Sequence, residues 1–289
     1  MHGIDDLVDE VALDARLAAV CRQQAKLVAL GCHGEQRSYG WLDQRAAHIA
    51  EQLTDCGVRT GDRVGLYIER SAELPAAMLA CIRIGVCFVP LVAGYPAGRL
   101  RARVHGLGLQ LVLTSMPLRR LFSVPAHCLQ PGLASKVDWQ RLDAGLPACL
   151  LLGGLDGSGR ELISRRALAD YLQRTTERME ACAGSRWLCT APLTDSAALL
   201  EWLGPLWVGG HGEIVPVALR QQPMELAALL RSRRDINTLQ GDARFWRLLL
   251  RAGWEGHRGF TALCHGGGLD RALAGLLHSR TGQLVSNIA

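Results

Sequence analysis

Two glycine-rich segments of the sequence carry residue types that phosphate-binding and acyl-transfer sites use. The first, residues 153–161, reads GGLDGSGRE, so Gly154 and Gly159 have the spacing of a Walker loop and are followed by Arg160 and Glu161. Glycines let a phosphate approach backbone N–H groups, but such a loop also needs a lysine and a hydroxyl at its last two positions. With arginine and glutamate there instead, the segment alone indicates nucleotide binding only weakly.

The second segment, His265–Gly268, has the H-G-G-G form of an esterase oxyanion loop. That chemistry also requires a serine in a G-x-S-x-G turn, and no serine of this sequence lies in one. The nine histidines form no H-x-x-x-H or H-E-x-x-H pair. We therefore expect neither hydrolase activity nor a metal site.

The composition excludes several classes of protein. The chain has 289 residues, of which 49% are hydrophobic and 20% charged, a balance that is ordinary for a globular protein and unlike a disordered or fibrous one. Its net charge of +5 is spread along the chain in short groups of arginine, mixed with 27 acidic residues. Because nucleic-acid-binding proteins usually concentrate positive charge on one face, we do not expect a nucleic-acid partner.

Cysteine content and hydropathy bear on the compartment. The ten cysteines form no C-x-x-C pair, and most lie among apolar residues, which is typical of buried free thiols in a reducing compartment. The first ten residues are acidic and lack the apolar core of a signal peptide. The longest uncharged stretches run to about 15 residues, short of the ~20 that span a bilayer. We expect a soluble cytoplasmic protein without a membrane partner.

Apolar segments with strand and helix periodicity alternate along the chain. The pattern predicts helices over 11–30, 43–56, 72–84, 197–207, 224–232 and 242–252. It predicts strands over 37–41, 63–68, 86–91, 109–114, 148–152, 186–190, 213–217, 237–240, 260–264 and 283–286. Such alternation favours βαβ units, so we expect an α/β fold of two stacked layers with largely parallel sheets. The first subdomain would comprise residues 59–185, and the second 1–58 plus 186–289.

Collinear motifs between residues 38 and 100 carry a family resemblance. Ser38–Asp43 is similar to L-T-Y-x-E-L, residues 57–64 to G-V-x-x-G-D-x-V, residues 79–91 to L-K-A-G-x-A-Y-V-P-L, and residues 95–100 to Y-P-x-x-R-L. These motifs belong to the adenylate-forming superfamily, in particular to the amino-acid adenylation domains of nonribosomal peptide synthetases. Weaker similarity continues to the C-terminus. The resemblance implies the two large sheet-containing subdomains of such a domain.

The same resemblance assigns a nucleotide-binding loop in which the family's phosphate-binding lysine is replaced. The family's T-S-G-S-T-G-x-P-K-G loop corresponds to a remnant made of Gly153, Gly154, Asp156, Gly157, Ser158, Gly159 and Arg160. With residues 165–168 aligned on the family's H-R-A-L, the lysine of the loop falls on Gly159. Asp156 and Glu161 add negative charge where phosphates would lie. The resemblance thus implies a vestigial loop, or, as the alternative, a phosphate cradle rescued by Arg160.

The substrate pocket implied by the resemblance is also altered. The family's F-D-x-x-x-W-E motif, whose Asp binds the substrate ammonium, corresponds to residues 195–201. Glu201 is retained, but the Asp position falls on Ser196, or on Asp195 after a one-residue slip. The family's G-G-E-A-L segment has Gly267 in place of its glutamate. The substrate-pocket remnant comprises Asp195, Ser196, Glu201, Gly266, Gly267 and Gly268.

Two functional hypotheses follow from the resemblance. The closing motif N-x-Y-G-P-T-E, the barrel-like part and the C-terminal lid are not found in this sequence. The leading hypothesis is a truncated adenylation-like pseudoenzyme with no catalytic residues, no metal and no cofactor, serving as a scaffold or interaction element among the modules of a nonribosomal peptide or polyketide assembly line. The alternative is an amino-acid adenylating ligase that uses ATP and Mg and is completed by a separate C-terminal subdomain. A fragment of a larger synthetase stays open as a third possibility.

Overall fold

Helices and strands alternate from residue 13 to residue 286 in the computed structural model, which describes residues 12–286 except 93–96, 117–121, 123, 154–158 and 194–196. The elements of the first part are α1 (Leu13–Gln23), β1 (Val28–Cys32), β2 (Glu35–Ser38), α2 (Tyr39–Asp55), β3 (Arg63–Tyr67), α3 (Glu73–Arg83), β4 (Cys87–Pro90), α4 (Ala97–Val104), β5 (Leu109–Thr114), β6 (Ala126–Cys128), β7 (Pro147–Gly153), β8 (Gly159–Ser164) and α5 (Arg165–Arg178). Those of the second part are β9 (Arg186–Cys189), α6 (Ala197–Val208), β10 (His211–Ile214), a 3₁₀ helix (Val217–Gln221), α7 (Pro223–Ser232), β11 (Thr238–Gly241), α8 (Ala243–Arg251), β12 (Phe260–Cys264), α9 (Arg271–Thr281) and β13 (Gly282–Ser286).

The described strands form two sheets. One has six strands in the order β6-β5-β3-β4-β7-β8, and the other has seven in the order β13-β12-β11-β9-β10-β1-β2. Every pairing is parallel except β1 with β2 and β7 with β8, each of which joins an edge strand to its sheet. The expected α/β fold with two largely parallel sheets is confirmed, and the described strands close no barrel. The division into two subdomains with the stated boundaries stays a prediction.

Short polar residues start several of the helices, as the sequence pattern indicates. The Ser38 hydroxyl accepts a hydrogen bond from the Trp41 backbone N–H at 3.1 Å at the start of α2. Asp242 accepts one from the Phe245 N–H at 2.6 Å at the start of α8. Such caps satisfy backbone donors that the first helical turn leaves unpaired.

Five layers arise from the way the helices cover the sheets. Helices α1, α2, α3, α5 and α6 pack against one another between the sheets, and one hydrophobic core joins them to residues of both. Helices α7, α8 and α9 cover the outer face of the seven-stranded sheet with a second core. Helix α4 covers the outer face of the six-stranded sheet with a third. Because both sheets share the middle layer, their relative position is set by its packing.

The structure corrects the prediction of a single helix over residues 11–30. Helix α1 ends at Gln23, and the apolar run that follows is strand β1, whose Leu30 pairs with Gly212 of β10. An apolar run of this length fits a helix or a buried strand equally well, so only the pairing with a distant strand decides between them. The strand predicted over 37–41 is also wrong beyond Ser38, because that residue caps α2.

No helix in the described part of the chain has the length and apolar character needed to cross a membrane.

A buried ion pair lies within the middle layer. Arg165 at the start of α5 contacts the carboxylate of Asp14 in α1 at 2.9 Å, and only 2% and 6% of the two side chains are exposed. The same guanidinium donates to the Ile82 carbonyl at the end of α3, at 3.0 Å. A charge buried this deeply is stable only while its partner is present. The pair therefore joins three helices of the middle layer.

Replacing Asp14 by alanine would leave the Arg165 guanidinium buried without a counter-charge. We expect the free energy of unfolding to fall by about 3 kcal/mol, since uncompensated buried charges cost this much. Urea denaturation followed by circular dichroism measures the loss. The matched control is Glu35→Ala, which removes the exposed Glu35–Arg37 pair and should cost less than about 1 kcal/mol. Equal losses in the two variants would contradict the prediction.

Candidate functional site

The carboxyl ends of strands from both sheets meet around one cavity of about 470 Å³. Ligands of parallel α/β sheets bind at this edge, since loops leaving neighbouring strands diverge there and open a crevice. The described residues that line the cavity come from the segments after β3, β4, β9 and β10, and they are Ile68, Glu69, Arg70, Val92, Pro192, Leu193 and Val217. Glu69 and Arg70 are the charged residues among them.

Arg70 joins the two sheets at this edge. It follows β3 of the six-stranded sheet, and its Nε donates to the Val215 carbonyl after β10 at 2.8 Å. Its Nη1 and Nη2 donate to the carbonyls of Ala191 and Cys189, at 2.8 and 2.5 Å, at the end of β9. The guanidinium also lies 4.9 Å from the Trp202 ring centroid. Burial lowers the pKa of Arg70 from its ordinary value, and all three of its nitrogens donate to the protein's own backbone.

Glu201 in α6 is fully buried beside the same strand end. Its Oε2 accepts hydrogen bonds from the backbone N–H groups of Thr190 and Ala191, at 2.5 and 2.6 Å. Its Oε1 has no hydrogen-bond partner among the described residues. Burial raises the pKa of Glu201 to about 7, although the N–H of Ala191 and the positive charge of Arg220 act in the opposite direction. The retained carboxylate therefore orders the turn after β9.

A second arginine holds the neighbouring strand ends. Arg220 of the 3₁₀ helix donates from Nη1 to the Thr190 hydroxyl at 2.9 Å and to the Gln240 carbonyl at 3.1 Å. Its guanidinium lies 4.5 Å from the Phe245 ring centroid. The amide nitrogen and oxygen of the Gln240 side chain are buried and have no hydrogen-bond partner in the part of the chain that the structure describes. Arg220 thus joins the ends of β9 and β11.

The predicted nucleotide loop lies at the turn of a hairpin. Gly153 and Gly159 pair in register where β7 meets β8, and Arg160 lies opposite Leu152. The side chains of Arg160 and Glu161 are exposed on β8, which is an edge strand. The other members of the remnant, Gly154, Asp156, Gly157 and Ser158, lie outside the described residues. Their role in phosphate binding stays a prediction.

The predicted substrate-pocket residues are only partly described. Asp195 and Ser196 lie outside the described residues. Gly266, Gly267 and Gly268 follow β12, and Gly266 and Gly268 adopt positive φ angles of 71° and 88°. They are not among the described residues that line the cavity. Glu201 is not among them either, but its carboxylate accepts the backbone N–H of Ala191, which precedes the lining residue Pro192.

Arg70 and Arg220 are the residues that the sequence analysis missed. Arg70 lies between the motifs at residues 57–64 and 79–91, and nothing in their spacing indicates contacts with strands more than 100 residues away. A signal was present, because an arginine directly after a predicted parallel strand lies at the sheet edge where ligands bind. In the part of the chain that the structure describes, no three His, Cys, Asp or Glu residues cluster closely enough to hold a metal ion.

Comparison with known families and proteins gives consistent matches. The model of the AMP-binding enzyme family matches residues 17–147. One of the polypeptides of plipastatin synthase from Bacillus subtilis is 24% identical over 236 residues, which are 79% of this chain and 9% of that protein. The dimodular nonribosomal peptide synthase of the same organism is 24% identical over 260 residues, or 85% of this chain and 11% of that protein. The chain therefore spans about a tenth of the length of these two relatives.

Solved structures share the fold. The crystal structure of holo-AB3403, a four-domain nonribosomal peptide synthetase bound to AMP and glycine, matches 96% of this chain and 21% of that chain, with a TM-score of 0.86 and 28% identity. The N-terminal subdomain of Klebsiella oxytoca NpsA, in complex with 3-hydroxybenzoyl-AMSN, matches 95% of this chain and 71% of that chain, with a TM-score of 0.80 and 21% identity. The second match shows a common fold alone.

Replacing Arg70 by lysine tests its role between the sheets. An ammonium cannot reproduce three diverging N–H bonds, so we expect the free energy of unfolding to fall by about 3 kcal/mol. The control is Arg63→Lys, because Arg63 donates a single 2.8 Å bond to the Leu107 carbonyl beside its own sheet. That variant should lose about 1 kcal/mol. Urea denaturation measures the free energy of unfolding of both variants. A loss in Arg70→Lys no larger than in Arg63→Lys would contradict the role of Arg70 between the sheets.

The buried Glu201 should make stability depend on pH. Because its pKa rises from 4.5 to about 7 on folding, its contribution to stability is fully present below pH 4.5 and is lost as the pH rises towards 7. The loss is on the order of 3 kcal/mol, at about 1.4 kcal/mol per unit of pKa. Glu201→Gln keeps the acceptor oxygen and does not titrate. Urea denaturation between about pH 5 and pH 8 should show the wild type losing stability relative to this variant, and parallel profiles would refute the expectation.

Proposed function

Since the chain belongs to the adenylate-forming superfamily through its AMP-binding segment and its fold, we propose that it is an adenylation-like domain that no longer activates a substrate with ATP. In this proposal it acts as a scaffold or interaction element for the modules of a nonribosomal peptide or hybrid polyketide assembly line. The relatives support such partners, because they are large multidomain synthetases. The ten free cysteines support a reducing cytoplasm.

The main support for the proposal is that Arg70 already forms hydrogen bonds with the protein's own backbone. Among the described residues that line the cavity it is the one cation, and its three nitrogens already donate to the carbonyls of Cys189, Ala191 and Val215. Binding a triphosphate requires donors or cations that are free to face it. A guanidinium that turned toward a phosphate would give up the contacts between the sheets. Three of the five N–H donors of Arg70 are thus used inside the protein, which supports a poor fit of the described lining to ATP with its magnesium ion.

The nucleotide loop supports the same conclusion. The resemblance places the family's lysine on Gly159, which has no side chain. The cation that follows it, Arg160, lies on an exposed edge strand and precedes the acidic residue Glu161 in the sequence. Transfer of an adenylyl group depends on positioned positive charge, and the loss of one such donor typically lowers the rate by about 10²–10³. Without the lysine, the loop has no buried cation to offer.

The cavity itself favours a second candidate function. It lies at the carboxyl edge where parallel sheets bind ligands, and the relative of known structure with 28% identity is described as bound to AMP and glycine. In this alternative the chain is an amino-acid adenylating ligase that uses ATP and Mg and is completed by a separate C-terminal subdomain. Arg160 would then be the residue that replaces the missing lysine.

Amino-acid-dependent exchange of pyrophosphate into ATP separates the two candidates. We expect no exchange above background with any proteinogenic amino acid and no heat of binding for Mg-ATP in calorimetry, because the one cation of the described lining already binds backbone carbonyls. An active adenylation domain serves as the positive control. The assay is repeated with an added C-terminal lid domain, for wild type and for Arg160→Ala. Exchange that appears in the wild type and disappears in Arg160→Ala would establish the ligase and refute the inactive scaffold.

A further inference from the structure

A cluster of three side chains lies at the surface, where the end of α2 meets β6, and its members are not among the described residues that line the cavity. The Cys56 thiol lies 3.4 Å from Nδ1 of His127. Nε2 of His127 lies 3.1 Å from Oε1 of Gln52. Cys56 is exposed and His127 is half-buried, so small molecules in solution can reach the sulfur. A nucleophile next to a base, with a third group that orients the base, is the arrangement found in sites that react covalently.

The orientation of the Gln52 amide is determined by its neighbours. Its Oε1 accepts the backbone N–H of Gln130 at 3.0 Å, and its Nε2 donates to the carbonyl of Gln130 at 3.2 Å. Rotating the amide by 180° would place two donors together and two acceptors together, so the assignment is unambiguous. Because Oε1 can only accept, Nε2 of His127 must carry a proton.

This assignment fixes the tautomer of the neutral histidine. With the proton on Nε2, Nδ1 holds the lone pair, and it accepts the hydrogen of the Cys56 thiol. If Nδ1 takes that proton fully, the imidazolium keeps its hydrogen bond to Gln52 and forms an ion pair with the thiolate. Gln52 is therefore a positioning residue, since it acts on the sulfur through His127.

The surroundings of Cys56 indicate which electrophile it can attack. Acyl transfer needs N–H donors for an oxyanion, but the N–H groups of residues 56, 57 and 58 already donate to the carbonyls of residues 52, 54 and 53. Thiol–disulfide exchange forms no oxyanion. Burial and the negative charge of Asp55 raise the pKa of the Cys56 thiol, so it needs a base to ionise and repels anionic reagents.

We propose that Cys56, His127 and Gln52 form a reactive-thiol site for small, uncharged disulfides. His127 Nδ1 takes the thiol proton, and the Cys56 sulfur attacks one sulfur of the disulfide. A new S–S bond forms as the old one breaks, and the leaving thiolate takes the proton from the imidazolium. The products are a mixed disulfide at Cys56 and one free thiol, with no net gain or loss of electrons. The site is independent of the cavity and of the proposed function.

The whole chain treated with 2,2′-dithiodipyridine tests the proposal. Release of thiopyridone gives the rate, and peptide mass spectrometry identifies the cysteine modified. Cys182 is the internal control, because it is also exposed and has no histidine among its described hydrogen-bond partners. We expect Cys56 to react about tenfold faster than Cys182, and Cys56→Ser to remove the fast phase.

Two further variants separate reactivity from simple exposure. His127→Gln should slow Cys56 by about tenfold and leave the rate at Cys182 unchanged. Gln52→Leu should slow it less and shift the pH–rate profile, in which Asp55 and His127 are the titratable groups that the described structure places against Cys56. Thermal unfolding of each variant confirms that it is folded. A fast phase that persists in folded His127→Gln, or equal rates at the two cysteines in wild type, would overturn the proposal.

Discussion

The three hydrogen bonds of Arg70 connect the carboxyl edges of the two sheets, whose relative position is set by the helices between them. One planar guanidinium that follows β3 satisfies carbonyl groups at the ends of β9 and β10, and so it holds the carboxyl edges of both sheets at one distance. Desolvation opposes this placement, but charge-assisted hydrogen bonds and the adjacent Trp202 ring offset it. These hydrogen bonds also engage Arg70, which is the one cation among the described residues that line the cavity. The same side chain is therefore needed to hold the sheet edges and would be needed to bind an anionic ligand.

The helices of the middle layer pack against both sheets and so help to hold their carboxyl edges in place. The helices between the sheets share one core with both of them, and the buried pair of Asp14 and Arg165 ties α1, α3 and α5 together. Separating these helices would break an ion pair that is buried from water. The fold of an adenylating enzyme is thus retained through interactions that need no nucleotide.

Two groups with unusual chemistry, Glu201 and the cluster around Cys56, lie in separate places, and their properties have different physical causes. At the cavity edge, burial raises the pKa of Glu201, and its carboxylate organises the turn after β9 through Thr190 and Ala191. At the end of α2, Cys56 and His127 are reachable from solvent, and Gln52 holds the imidazole in one tautomer. Burial makes the first group structural, whereas access to solvent makes the second one reactive.

The sequence by itself determined the features that arise from short-range interactions. The strands β3, β4 and β5 follow from their apolar runs, the start of α8 follows from Asp242, and the positive φ angles of Gly57 and Gly61, 83° and 90°, follow from the turn motif. The family resemblance also came from consecutive residues, since collinear motifs need no knowledge of contacts.

The tertiary structure alone decided which distant groups meet. Strand β1 is a strand because β10 pairs with it, although its sequence suits a helix as well. Arg70 lies 119 residues from Cys189, and Cys56 lies 71 residues from His127, so no local pattern relates them. Periodicity and capping report the interactions of a residue with its neighbours along the chain, whereas hydrogen bonds between sheet edges depend on how the whole chain crosses from one sheet to the other. For that reason the fold could be predicted from the sequence, whereas the hydrogen-bond partners of its arginines could not.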